Sequence, residues 1–222
     1  MTLQNISLRS FAVCAVAIGA AACRPSPSPQ QTRGPDTVAA TAPDSFLVAL
    51  QTSKGRVVVQ AIRSWSPRGV DRFHELVNDR FYDGVRFFRV LPSYIVQFGI
   101  NGDPSMNDHW REIRIPDDPV TQTNARGTLT FATGGPNTRT TQLFINKRDN
   151  RRLDGMGFAP IGKVIEGMDV VDRLYSGYGE GAPDGAGPLQ DRIEHEGNKY
   201  LSHYFPLLDS VVTARVVRIK PE

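Results

Sequence analysis

The segment FFRVLPSYIVQFG, residues 87–99, sets one guanidinium and one carboxamide inside two apolar runs. Arg89 follows two phenylalanines, and Gln97 follows Tyr94, Ile95 and Val96. Side chains alternate along a strand, which puts Phe87 with Arg89 on one face and Ile95 with Gln97 on another. A turn at Pro92-Ser93 brings Arg89 and Gln97 opposite each other, where Gln97 can accept a hydrogen bond and hold the guanidinium still. An arginine so held is a permanent charge with several donors in one rigid plane. Spacing alone leaves a second reading open, an edge-strand arginine bridged to a surface carboxylate.

These residues need strands to position them. SFLVALQTSKGRVVVQAI, residues 45–62, reads as a hairpin: Phe46, Val48 and Leu50 alternate, SKG turns, and Val57 and Val59 alternate. Ser66-Pro67 starts a helix with Val70, Phe73, Leu76 and Val77 on one face, closed at Asp83-Gly84. VRFFRVL and YIVQFG are strands. Residues 100–126 are polar and proline-rich and read as a long surface loop. GTLTFAT and QLFINK are strands separated by GGPNTRTT, and FAPIGKV is another. EGMDVVDRLYSG gives a short helix, a Gly-rich loop covers 177–190, and VVTARVVRI closes the chain. Many short strands with two helices predict a mainly β fold, a closed antiparallel barrel capped by two helices.

Several chemistries are set aside. GYGEGAPDGAG at 177–187 follows a helix and opens none, so it fails the context of a dinucleotide loop. GGPNT at 134–138 lacks the Gly-Lys-Ser/Thr of a phosphate loop. KRDNRR at 147–152 reads as a solvated loop, and a net charge of +3 without a recognition motif does not call for nucleic acid. The two cysteines, Cys14 and Cys23, lie at the N-terminus, and the four histidines are scattered. No zinc spacing results, and neither metal nor cofactor is expected.

Residues 11–22, FAVCAVAIGAAA, have the length of a signal-peptide core and are short for a membrane span. With Ala20–Ala22 before Cys23, the segment resembles a bacterial lipoprotein signal, which implies a lipidated Cys23. Cleavage after Ala22 to a soluble exported protein is the alternative. The following residues, through 44, are a Pro/Ser-rich tether that cannot bury enough apolar surface to offset chain entropy. The expected organisation is a signal peptide at 1–22, a tether at 23–44 and one domain at 45–222. The expected location is periplasmic or cell-envelope, with membrane contact only through the lipid.

FFRVLPSYIVQFG, GTLTFATGGPNTRTTQLFI and LDGMGFAPIGKVIEGMDVVD resemble, in order and spacing, the three signature regions of the cyclophilin-type peptidyl-prolyl isomerases. The likeness runs from about residue 45 to the C-terminus. It implies an eight-stranded barrel, a monomer and proline-containing polypeptides as partners. It assigns Arg89 as the catalytic arginine and Gln97 as its orienting glutamine. Tyr94, Ile95, Phe144 and Leu153 become the proline pocket, and Ala132, Thr133 and Gln142 line the substrate groove. Departures are Tyr94 for a phenylalanine, Phe88 for a histidine, Phe98 for a glycine, Thr133 for an asparagine and Arg152 for a tryptophan. Asn137, Thr138 and Pro136 read as turn residues, and Phe87 as core.

The implied chemistry suits these residues. The C–N bond has partial double-bond character and a rotation barrier of roughly 18–20 kcal/mol. Xaa-Pro bonds exchange in roughly tens to hundreds of seconds. Faster rotation needs no nucleophile or metal, only a site that favours the twisted bond over the planar one. A module that holds Pro-containing peptides without turnover, as a chaperone or scaffold, is the alternative function. Such a holder needs only the pocket and leaves Arg89 and Gln97 unused.

Overall fold

A computed structural model describes residues 41–217. The expected signal segment, Cys23 and the tether through residue 40 lie outside the described residues. β1 (Ser45–Thr52) and β2 (Gly55–Ile62) form the expected hairpin, with Ser45 opposite Ile62 and Thr52 opposite Gly55. The Thr52 hydroxyl donates to the Gly55 carbonyl at 2.6 Å and tightens the turn. Val48, Leu50, Val57, Val59 and Ala61 are buried in the main core. Ala42 belongs to that core too, and its N–H donates to Asp71 Oδ1 at 2.9 Å. Packing against the core thus includes Ala42, three residues upstream of β1.

α1 (Pro67–Asn78) buries Val70, Phe73, Leu76 and Val77 on the expected face. It ends well short of Asp83-Gly84, because Arg80 turns left-handed at φ 57°. Ser66 stands at the N-cap position without capping the helix. Asp118 supplies the cap instead, accepting from the Gly69 N–H at 2.9 Å, the Arg68 N–H at 3.2 Å and the Ser66 hydroxyl at 2.6 Å. A carboxylate there satisfies orphan donors and faces the positive end of the helix dipole.

The remaining strands are β3 (Arg89–Val90), β4 (Ile95–Phe98), β5 (Thr128–Phe131), β6 (Leu143–Asn146), β7 (Pro160–Glu166) and β8 (Val211–Val217). All eight lie in one antiparallel sheet, in the order β3-β4-β6-β5-β7-β2-β1-β8. The closed barrel expected from sequence is corrected to an open, curled half-barrel, since β3 and β8 are the two ends of that order. The two ends meet only through the segment before β3: Gly84 and Phe87 donate to the carbonyls of Val211 and Asp209, at 2.8 and 3.0 Å, and Arg86 bridges Ser210. These contacts form an isolated bridge and do not extend into a β3–β8 ladder.

Among the described residues the expected two helices become four α-helices. α2 (Pro104–Trp110) forms inside the stretch read as a 100–126 loop, with Asp103 Oδ1 capping the Ser105 N–H at 2.9 Å and Pro104 in its first turn. α3 (Met168–Asp172) is the short helix expected. α4 (Gln190–Tyr204) follows the Gly-rich loop and breaks at Gly197, φ 59° and ψ −146°. A Cβ there would lie 2.1 Å from the Gly102 carbonyl oxygen, so α4 presses on the start of α2 at a glycine.

Among the described residues the two larger apolar bodies are these. The main core fills the curled sheet under α1, with Tyr82 and Phe87 edge-on to Phe98 at 5.8 and 5.3 Å. A second packs Phe88 and Ile100 against Ile193, Tyr200, Leu201 and Leu208. Phe88 and Phe98 are therefore core residues of two different bodies. Phe87 joins Val90 in the main core and does not share a face with Arg89, because the ladder starts only at Arg89.

Candidate active site

β3 and β4 place Arg89 directly opposite Gln97, with Val90 opposite Val96. The Pro92-Ser93 turn sets this register, with Leu91 N–H donating to the Ile95 carbonyl at 2.9 Å and Tyr94 N–H to Leu91 at 3.0 Å. Arg89 Nη1 donates to Gln97 Oε1 at 3.0 Å. Gln97 Nε2 donates in turn to Gln142 Oε1 at 2.9 Å. The guanidinium is thus held by a relay from β3 through β4 to the residue just before β6. Gln97 is 6% exposed and sits behind the charge it holds.

Beside the relay, Ile95, Phe144 and Leu153 form a small buried cluster with Tyr94, Ala132 and Phe158 packed on it. Phe158 meets Phe144 edge-on at 5.7 Å. Leu153 rides on a 3-10 turn, Arg151–Met156, whose Asp154 is anchored by Thr123 at 2.6 Å and Asn124 at 2.8 Å. Burial alone would raise the Asp154 carboxyl; those hydrogen bonds outweigh it and hold it below the usual range. The turn thereby fixes one wall of the socket.

A cavity of about 580 Å³ gathers Arg89, Tyr94, Ile95, Gln97, Ala132, Thr133, Gln142, Phe144 and Leu153. Every site residue expected from sequence within the described residues borders this one space. The Thr133 hydroxyl is tied into its own turn, 2.8 Å from the Thr138 hydroxyl, and bonds the Gly135 carbonyl. Among the described residues no hydrogen bond uses the Thr133 main chain, which borders the groove. Asn137, left-handed at φ 57°, exchanges hydrogen bonds with Asp117 at 2.8 and 2.9 Å and serves the turn. Arg152 is exposed beside Tyr94 and Leu153 in a second cavity of about 340 Å³.

Sequence reasoning missed Glu180. Arg89 Nε donates to its two carboxylate oxygens at 2.7 and 2.9 Å, and Nη2 to Oε2 at 2.5 Å. The Arg89 hydrogen bonds lower the Glu180 carboxyl below its ordinary range, against a smaller opposing effect of burial. Glu180 lies in the Gly-rich loop dismissed above as a dinucleotide motif. Asp184 and Phe158 border the same cavity and were also missed as site residues. Phe158 alone left a signal, an aromatic residue soon after LDG where the family places a histidine.

The family model described as cyclophilin type peptidyl-prolyl cis-trans isomerase matches residues 47–196. This chain belongs to that family. A peptidyl-prolyl cis-trans isomerase of Acinetobacter baylyi is 33% identical over 143 residues, covering 62% of this chain and 76% of that one. A probable peptidyl-prolyl cis-trans isomerase of Brucella abortus is 28% identical over 204 residues, covering 87% of this chain and 95% of its own. In fold, a cyclophilin from Cryptosporidium parvum superposes with a TM-score of 0.58 at 18% identity, covering 79% of this chain and 99% of that structure. This cyclophilin is a peptidyl-prolyl cis-trans isomerase, and its substrates are proline-containing polypeptides.

Proposed function

We propose that Arg89 is the catalytic group of this cyclophilin, acting by electrostatics on the prolyl bond as it twists. The carrying observation is the held guanidinium at the edge of an apolar socket, with Nη1 on Gln97 at 3.0 Å. Ile95, Phe144 and Leu153, with Tyr94 at the rim, grip the pyrrolidine ring. Ala132, Gln142 and the main chain of Thr133 receive the flanking peptide. Twisting breaks amide resonance, and the imide nitrogen becomes pyramidal with a lone pair that accepts a hydrogen bond. Once the peptide is bound, a fixed donor near an apolar wall favours that state without reorganising during the twist itself. Only the preference for the twisted over the planar form accelerates the bound step.

A structural neighbour of the same fold, from Cryptosporidium parvum, was crystallised in the presence of the dipeptide Ala-Pro. An Ala-Pro peptide is therefore the natural probe. Arg89→Ala should lower kcat/KM in a protease-coupled assay by about 10²–10³-fold, the scale of losing one preorganised donor. The denaturation midpoint should stay near wild type. A variant that keeps most of its turnover excludes Arg89 from this role.

The N-terminal segment supports export, and we place this cyclophilin in the cell envelope, assisting the folding of exported proteins as a monomer tethered through lipidated Cys23. Cys23→Ser should move the protein from the membrane fraction to the soluble one. Wild-type protein already soluble after cleavage at Ala22 would remove the anchor from this reading.

A further inference from the structure

The contact between Arg89 and Glu180 is placed where substrate must enter. Glu180 takes the Nε and Nη2 donors and Gln97 takes Nη1, so every guanidinium nitrogen already serves a protein acceptor. A residue that merely positions the charge belongs behind it, as the buried Gln97 is. The Glu180 side chain is 32% exposed and borders the open cavity together with Asp184. Its carboxylate is a stronger acceptor than a peptide carbonyl or an imide nitrogen. It also offsets the charge that the twisted bond would use.

The loop around Glu180 is built to present it. Tyr178 packs edge-on against Phe205 at 5.0 Å, and Tyr200 accepts the Leu189 N–H at 3.2 Å, so both ends are pinned to the second core. Between those pins stand Gly179, Gly181, Gly185 and Gly187. Gly187 N–H donates to the Glu180 carbonyl at 2.7 Å, and a Cβ on Gly185 would lie 2.3 Å from that oxygen. Glycine lets the chain wrap this tightly around one acidic residue.

We propose that Glu180 is a competitive gate on Arg89, one that a prolyl peptide must displace and that selects peptides carrying a cation beside the proline. The inference rests on the isomerase reading of Arg89. A Lys or Arg on the peptide gives the displaced Glu180 and neighbouring Asp184 a replacement partner. A Glu at the same place repels them.

The test measures kcat and KM for wild type, Glu180→Gln and Glu180→Ala on Ala-Pro peptides flanked by Lys, Ala or Glu. On the neutral peptide both variants should gain about two- to fivefold in kcat/KM, the range of a partly exposed ion pair. The gain should lie in KM, with kcat unchanged. Wild type should prefer the Lys peptide over the Glu peptide, and Glu180→Gln should lose most of that preference. Unchanged or reduced kcat/KM in active variants overturns the gate and makes Glu180 a positioning residue, leaving the isomerase reading intact. A Lys-to-Glu ratio equal in wild type and variant overturns the selectivity. Folded protein with no turnover in any form overturns the reading of Arg89 and the gate with it.

Discussion

Two readings of Arg89 competed at the sequence level, a residue held by Gln97 and an edge arginine bridged to a carboxylate. The structure contains both contacts, on different edges of one guanidinium. Cross-strand partners were legible because a tight turn and a period of two fix which residues face each other. Glu180 was not, because 91 residues separate it from Arg89 and no local period links a glycine-rich loop to a strand. The planar guanidinium matters more than its charge, since Gln97 and the prolyl bond approach it from different directions. Arg89→Lys should therefore recover only a small part of the turnover lost in Arg89→Ala, because a point charge cannot bind both with fixed geometry. Steady-state assay of the two variants side by side decides this, and equal activity of Lys and Arg forms would refute the geometric argument.

At the scale of elements, the hairpin, α1 and the strands around the socket followed from their apolar periodicity. α2 and α4 did not, and the reasons differ. α2 is a single short stretch capped by Asp103 and hidden in a proline-rich segment. α4 carries few apolar residues, so its pattern is weak, yet Ile193, Tyr200 and Leu201 suffice to cover Phe88 and Ile100. That cover explains why a phenylalanine precedes Arg89. It depends on Gly197, whose backbone conformation and contact with Gly102 both exclude a side chain. Gly197→Ala should cost about 1–3 kcal/mol, the scale of a residue forced into a sparsely populated backbone region. Chemical denaturation measures the loss, and hydrogen exchange should show faster opening of α4 than of β1 and β2. An unchanged midpoint would mean that α4 docks without this close approach.

Across the whole molecule, charged side chains join segments that apolar periodicity cannot pair. Asp83 receives both Nη atoms of Arg215 at 2.7 Å and the Ala214 N–H at 3.0 Å, tying β8 to the turn after α1. Asp71 holds Arg63 at 2.8 and 3.0 Å together with the Ala42 N–H. Asp118 joins the N-terminus of α1 to Arg139, 3.0 Å away, and both side chains are almost fully buried. For all three carboxyls burial acts to raise the pKa, and the hydrogen bonds and arginines outweigh it, so each is held below its ordinary range. The sign follows directly. A carboxyl depressed in the folded state stabilises the fold fully above its unfolded value, about 3.9, and that stability is lost as pH falls through the folded value. Urea midpoints should be flat for these groups between about pH 6 and 8 and should fall below about pH 4. Asp118 should dominate, because its removal uncaps α1 and leaves the buried Arg139 guanidinium with only the more exposed Asp117, 3.3 Å away, as a carboxylate partner. Asp118→Ala should cost about 3–5 kcal/mol at neutral pH, the scale of breaking a buried pair on one side. It should also flatten the acid limb relative to wild type. An acid limb as steep in Asp118→Ala as in wild type would place the acid sensitivity in other carboxyls and leave Asp118 only its role as a cap.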